Sequence, residues 1–155
     1  MKKNYFFLVF FMCCATIYAQ TGNKTIYGEI GGPGILSVNF DSRFTHKISG
    51  PGFRAGFGAV PLFGLAITVP AGVNYLLGSK NHFLELEGGV SFVHEFANHN
   101  DGWFSSDAYS TLFQYAYIGY RYRSKHDFVL RIGFCPVFDN GETLPFVGLS
   151  FGSAF

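Results

Sequence analysis

The chain has 155 residues, of which 48% are hydrophobic and 19% aromatic but only 14% charged. Soluble domains carry about 25% charged residues, so this composition is poor in the groups that keep a surface wet, and it is too apolar and aromatic for a disordered chain. A net charge of +1 excludes the basic field that holds a nucleic acid, and the length fits one domain.

Residues 1–19 form a unit of their own. Lys2 and Lys3 open it, residues 5–15 are an apolar run, and Thr16-Ile17-Tyr18-Ala19 places a small residue before Gln20. This is the layout of a secretory signal peptide, with cleavage expected after Ala19. A spanning helix needs about 20 apolar residues, more than residues 4–19 supply. Lipidation at Cys13 or Cys14 is disfavoured by the bulky Phe-Phe-Met before Cys13. Cleavage takes two of the 11 Lys+Arg, leaving 9 against 10 Asp+Glu, and leaves Cys135 as the one cysteine of residues 20–155. The mature chain is therefore expected to hold no intrachain disulfide, no zinc site and no cofactor.

Past residue 19 no apolar run reaches 18 residues, which excludes helical spans; what recurs is alternation. Eight strands are expected, at about 25–32, 35–44, 52–60, 64–77, 82–94, 110–123, 127–137 and 144–155. The first is diluted by Gly28, Gly31, Gly32 and Gly34. Pro70 and Pro136 fall inside strands and predict a bulge or local unpairing. Short polar turns at 45–51, 78–81 and 124–126 alternate with connections at 32–34, 60–63 and 139–143 and a long loop at 95–109. Even strand number, short turns on one rim and longer loops on the other describe an all-β, eight-stranded antiparallel up-and-down transmembrane β-barrel over residues 20–155. Both termini then lie on the short-turn, periplasmic side.

The charges set inside from outside. Lys24, Lys47, Lys80 and Lys125 lie at strand ends or in turns, whereas Glu29, Asp41, Arg43, Arg54, Glu85, Glu87, Arg121, Arg123 and Arg131 lie within strands among small and polar residues. A narrow closed lumen favours paired Arg and carboxylate, since an unpaired buried charge is costly. The opposite parity carries Leu65, Ile67, Val69, Leu84, Leu86, Val90, Phe92, Ile118, Leu130, Ile132, Phe134, Val147, Leu149 and Phe151, which are expected to face lipid. Tyr75, Tyr120 and Tyr122 near strand ends fit an aromatic girdle. Eight strands leave an interior only wide enough for side chains, so the expectation is a filled lumen and no open pore.

Val147, Leu149, Phe151 and Phe155 share a face at the end of the chain, with Ser153 interrupting the row. They resemble the C-terminal insertion signal of outer-membrane barrels. With Tyr27-Gly28-Glu29-Ile30-Gly31-Gly32-Pro33-Gly34 and residues 69–78, the chain resembles the small eight-stranded outer-membrane β-barrel proteins of Gram-negative bacteria, in particular those of the Bacteroidota group. The resemblance covers residues 20–155. It implies location in the outer membrane, contact with its lipids and insertion by the barrel-assembly machinery; it brings no catalytic motif.

Few residues could carry chemistry. His94, His99 and Asp101 with Glu95 lie in or beside the long loop, but their spacing matches no metal motif. Trp103 and Phe104 could contact an extracellular ligand or rest on the barrel rim. Some barrels of this size modify lipid A with a Ser and a His at the outer surface; here Ser91 points inward and His94 outward, which leaves Ser105, Ser106 and Ser110 with His94 or His99 as the conceivable pairs. His46, His82 and His126 stand beside lysine-bearing turns, making one rim basic, whereas Glu95, Asp101, Asp107, Asp139 and Glu142 make the other acidic. The expected role is structural, surface-display or binding. The alternatives are a lipid A-modifying enzyme and a secreted soluble barrel that holds a small apolar ligand.

Overall fold

A computed structural model describes residues 23–60, 66–95, 109–139 and 141–155. The expected signal peptide, Leu65, and the loop residues His99, Asp101, Trp103, Phe104 and Asp107 lie outside the described residues. The strands are β1 (Lys24–Ile30), β2 (Leu36–Arg43), β3 (Gly50–Val60), β4 (Ala66–Ser79), β5 (His82–Glu95), β6 (Tyr109–Arg123), β7 (Phe128–Asp139) and β8 (Glu142–Ala154). Each pairs antiparallel with the next, and β8 pairs with β1 from Thr25↔Ala154 to Ile30↔Leu149, closing the barrel. The fold is thus the eight-stranded up-and-down transmembrane β-barrel that the alternation calls for.

Closure satisfies backbone donors and acceptors without an edge, which lipid would not hydrate. Lys24 and Phe155 exchange both backbone hydrogen bonds, at 3.3 and 2.9 Å, so the two ends of the barrel meet on the rim that carries the turns after β2, β4 and β6. We call this the terminal rim and the opposite one the loop rim.

Side-chain burial alternates along the strands, except at the end of β2, where Ser42 is buried between Asp41 and Arg43, and at the start of β8, where Glu142, Thr143, Leu144 and Pro145 are all exposed. Ile30, Val73 and Val147 are each more than 60% exposed and point outward in an apolar wall that runs round the barrel. A soluble protein rarely exposes apolar patches beyond a few hundred Å², so this wall fits hydrocarbon rather than water. Near the terminal rim Phe53 packs against Phe40 and Phe44, with centroids 6.0 and 5.9 Å away, and Tyr75 and Tyr120 are exposed, placing an aromatic band at one boundary of the wall.

The two prolines unpair locally without a bulge. The β3–β4 ladder breaks between Ala55↔Ala71 and Gly58↔Thr68, opposite Pro70, and resumes in the same register. The β6–β7 ladder breaks between Ile118↔Phe134 and Tyr115↔Val137, at Pro136, also without a register change. A missing N–H removes a ladder bond but adds no residue.

The connection between β1 and β2 departs from an ordinary surface loop. Gly32–Gly34 forms a 3-10 turn that folds into the lumen, and Gly32, Pro33 and Gly34 are buried. Thr68 donates its hydroxyl to the Gly34 carbonyl at 3.0 Å, and Ser91 donates to the Pro33 carbonyl at 3.0 Å. Gly31 and Gly32 take φ of 78° and 69°, in the left-handed region that glycine enters freely. A side chain at Gly31 would also stand 2.0 Å from the Val147 carbonyl oxygen.

Candidate functional site

Inside the wall, residues of one parity from every strand meet. Eight of the nine strand charges expected in the lumen are buried: Glu29, Asp41, Glu85 and Glu87 against Arg43, Arg54, Arg121 and Arg131, none more than 6% exposed. Equal numbers of acids and arginines leave this interior neutral. Arg123 stands apart, at the terminal rim, where it donates to Asp127 at 2.7 Å.

The charges form two linked groups. Toward the terminal rim, Arg43 Nη2 donates to Asp41 at 2.7 Å and Arg121 Nη1 to the same carboxylate at 3.1 Å. Asn74 binds that carboxylate as well. Toward the loop rim, Arg54 donates to Glu29, to Asn39 Oδ1 at 3.0 Å and to Glu87 at 3.3 Å. Glu85 joins the groups, accepting from Arg121 at 2.7 and 2.9 Å and from Arg131 at 2.9 Å on both oxygens. Arg131 also reaches Glu87 at 3.2 Å. Fork-shaped guanidinium groups serve two carboxylates at once, which an ammonium could not do with the same geometry.

Three tyrosines that the charge pattern does not single out complete the lumen. The Arg131 guanidinium lies between the rings of Tyr27 and Tyr117, 4.3 and 4.9 Å from their centroids. Tyr115 donates to Glu87 at 2.7 Å. Inward glycines make room for these rings: a Cβ on Gly89 or Gly133 would fall 2.7 Å or less from Tyr115 or Tyr117, and one on Gly152 would fall 2.4 Å from Tyr27 Cβ. The signal that finds them is parity, because Tyr27 shares its phase with Glu29, and Tyr115 and Tyr117 share theirs with Arg121.

Little space is left. At the terminal end a void of about 10 Å³ lies among Thr25, Asp41, Arg43, Leu76 and Arg121, room for about one water. At the loop end the Gly32–Gly34 turn covers the network, and a side chain on Gly32 would meet Glu29 Oε1 at 2.6 Å. Each lumen carboxylate is held by at least one arginine, so none stands free as a base. Among the described residues no group of three or more His, Cys, Asp or Glu is placed to hold a metal. Cys135 is buried and carries a free thiol.

On the outside, the candidates separate. Ser91 is buried under Pro33, whereas His94 points outward, as parity requires, and its Nδ1 lies 2.7 Å from Ser110 Oγ on the neighbouring strand. At the other rim His82 Nδ1 lies 2.5 Å from the Tyr120 hydroxyl and its ring packs against Tyr122. Val147, Leu149 and Phe151 share the outward parity of β8, and Phe155 lies one residue past the strand.

No protein-family model matches the sequence, and a search of curated proteins finds no match. Solved structures do resemble it. The crystal structure of the N-terminal β-barrel domain of Pseudomonas aeruginosa OprF aligns with a TM-score of 0.67 at 11% identity, over 88% of this chain and 100% of that one. The backbone structure of the Yersinia pestis outer membrane protein Ail in a phospholipid bilayer nanodisc aligns with a TM-score of 0.51 at 11% identity, over 86% of this chain and 99% of that one. At these identities the likeness is one of fold: the chain is built as a small eight-stranded transmembrane β-barrel, similar to these two.

Proposed function

We propose that residues 20–155 reside in the outer membrane of a Gram-negative bacterium of the Bacteroidota type, exported by residues 1–19 and inserted by the barrel-assembly machinery with Val147, Leu149, Phe151 and Phe155 as the signal. The role is structural, or one of surface display or ligand binding through residues 95–109, without catalysis. The observation that carries this reading is the lumen, where four acids and four arginines neutralise one another beneath the Gly32–Gly34 turn. Among the described residues the lumen is filled by side chains, which disfavours both a diffusion pore and a carrier of a small apolar ligand. Detergent-only extraction and heat-modifiable gel mobility are expected. Protease added to intact cells should cut only within 95–109; cutting in the turns at 45–51 or 124–126 instead would invert the topology.

A second reading, modification of an outer-leaflet lipid, draws on the His94–Ser110 contact alone. Those side chains stand on the outer wall near the loop rim, where His94 would take the hydroxyl proton as Ser110 attacks an ester carbonyl and return it to the departing alcohol, leaving an acyl-serine for water to hydrolyse. Lipid A mass spectra from cells producing the wild type and Ser110→Ala test it. Identical spectra remove the enzyme.

A further inference from the structure

The outer wall is not evenly convex. A hollow of about 570 Å³ crosses it from Phe44 and Pro51 to Pro136. Its floor is set where small residues meet: Gly88 on β5 pairs with Ala116 on β6, and a Cβ on Gly88 would have nothing within 4 Å. Val73 and Tyr75 flank the hollow on β4. Pro51 is the second residue of β3, next to the terminal rim, whereas Pro136 lies eight residues into β7 from that rim. The hollow therefore opens at the terminal rim and climbs to mid-wall, a path suited to one acyl chain.

The rim at its mouth is basic. The turn after β2 carries His46 and Lys47, and the turn after β4, next along this rim, carries Lys80 beside His82. Among the described turns of this rim the one acid is Asp127, and it is paired with Arg123 on the far side of β6. Lysine near a membrane surface favours anionic lipid.

We propose that this hollow is a binding site for one anionic phospholipid, with an acyl chain lying over Gly88 and Ala116 and the phosphate held by Lys47 and Lys80. The occupant follows from the joint pattern of an apolar trough continuous with the lipid-facing wall and a cationic mouth. This inference rests on the membrane reading above.

Native mass spectrometry of the full barrel, released from detergent with dioleoyl phosphatidylglycerol or dioleoyl phosphatidylcholine, tests it. One phosphatidylglycerol should be retained, roughly tenfold more tightly than phosphatidylcholine. Lys47→Ala with Lys80→Ala should abolish the preference while leaving weak binding of both lipids. Gly88→Leu, which fills the trough with a side chain that has open space to enter, should lower retention of both. Equal retention of the two lipids by the wild type overturns the proposal, as does a preference untouched by either variant. A dimer that Gly88→Leu disperses would assign the trough to a second copy and overturn it too. Heat-modifiable mobility of each sample keeps the two ideas apart, since a chain that fails to fold in detergent contradicts the membrane reading itself.

Discussion

The Arg131 guanidinium lies 4.3 Å over the ring of Tyr27 while its Nε and Nη2 donate to both oxygens of Glu85. One cation thus joins the charge network to the aromatic filling of the lumen. Removing it strips Glu85 and Glu87 of a buried partner at once. Arg131→Leu is expected to destabilise the barrel by about 3–5 kcal/mol, read as a lower midpoint for urea unfolding in phospholipid vesicles. Asp127→Asn breaks an ion pair whose carboxylate is half exposed and should change the stability read in the same assay by less than about 1 kcal/mol.

Glycines of opposite parity should respond oppositely to a methyl group. A Cβ on Gly133 would stand 2.5 Å from Tyr117 Cζ and 2.7 Å from Gly119 Cα, so ring and backbone must both move. Gly133→Ala should cost about 1–3 kcal/mol. Gly28, on the wall, has nothing within 4 Å of its Cβ position, and Gly28→Ala should stay within about 0.5 kcal/mol of wild type. Unfolding curves of the two variants side by side decide the point; equal effects would contradict the assignment of faces.

The turn inside the loop end depends on two hydroxyls. Thr68→Val and Ser91→Ala each leave a buried carbonyl, on Gly34 and Pro33, without its donor. Each should cost about 1 kcal/mol. Because the two carbonyls belong to adjacent residues, the double variant should show a coupling term of about 0.5 kcal/mol or more in a double-mutant cycle. Strict additivity would mean that the turn is not held as one unit.

Tyr115 donates to a buried carboxylate, so Tyr115→Phe should cost about 1.5–3 kcal/mol. Tyr75, exposed on the wall, should tolerate Tyr75→Phe with little change. The contrast is measured in the same unfolding assay.

That contrast also shows how far the residues alone can lead. Period-two alternation is a strong local signal, and Arg54, Glu85 and Arg131 mark the inward parity because charge cannot face hydrocarbon. Tyrosine marks neither face by itself, since its ring suits lipid and its hydroxyl suits a polar network. Residue type therefore does not separate Tyr27, Tyr115 and Tyr117 from girdle residues such as Tyr75 and Tyr120, although counting by two from Glu29 and Arg121 assigns them. The inward glycines follow the same logic, each legible as small but not as the seat of a particular ring. The Gly32-Pro33-Gly34 connection is legible as a turn, but its direction is not. It bends inward because Thr68 and Ser91, 34 and 58 residues away, supply the donors that its buried carbonyls need. The His94–Ser110 contact depends on strand register, which pairs those two positions directly and which no local pattern specifies.

Val73, Ile132 and Val147 face hydrocarbon while the arginines are enclosed. Nitroxide labels placed at those three positions, with the protein folded into phospholipid vesicles, test it most directly. Each label is expected to collide more often with dissolved oxygen than with a water-soluble nickel chelate. Greater access to the chelate at all three would place the wall in water and contradict it.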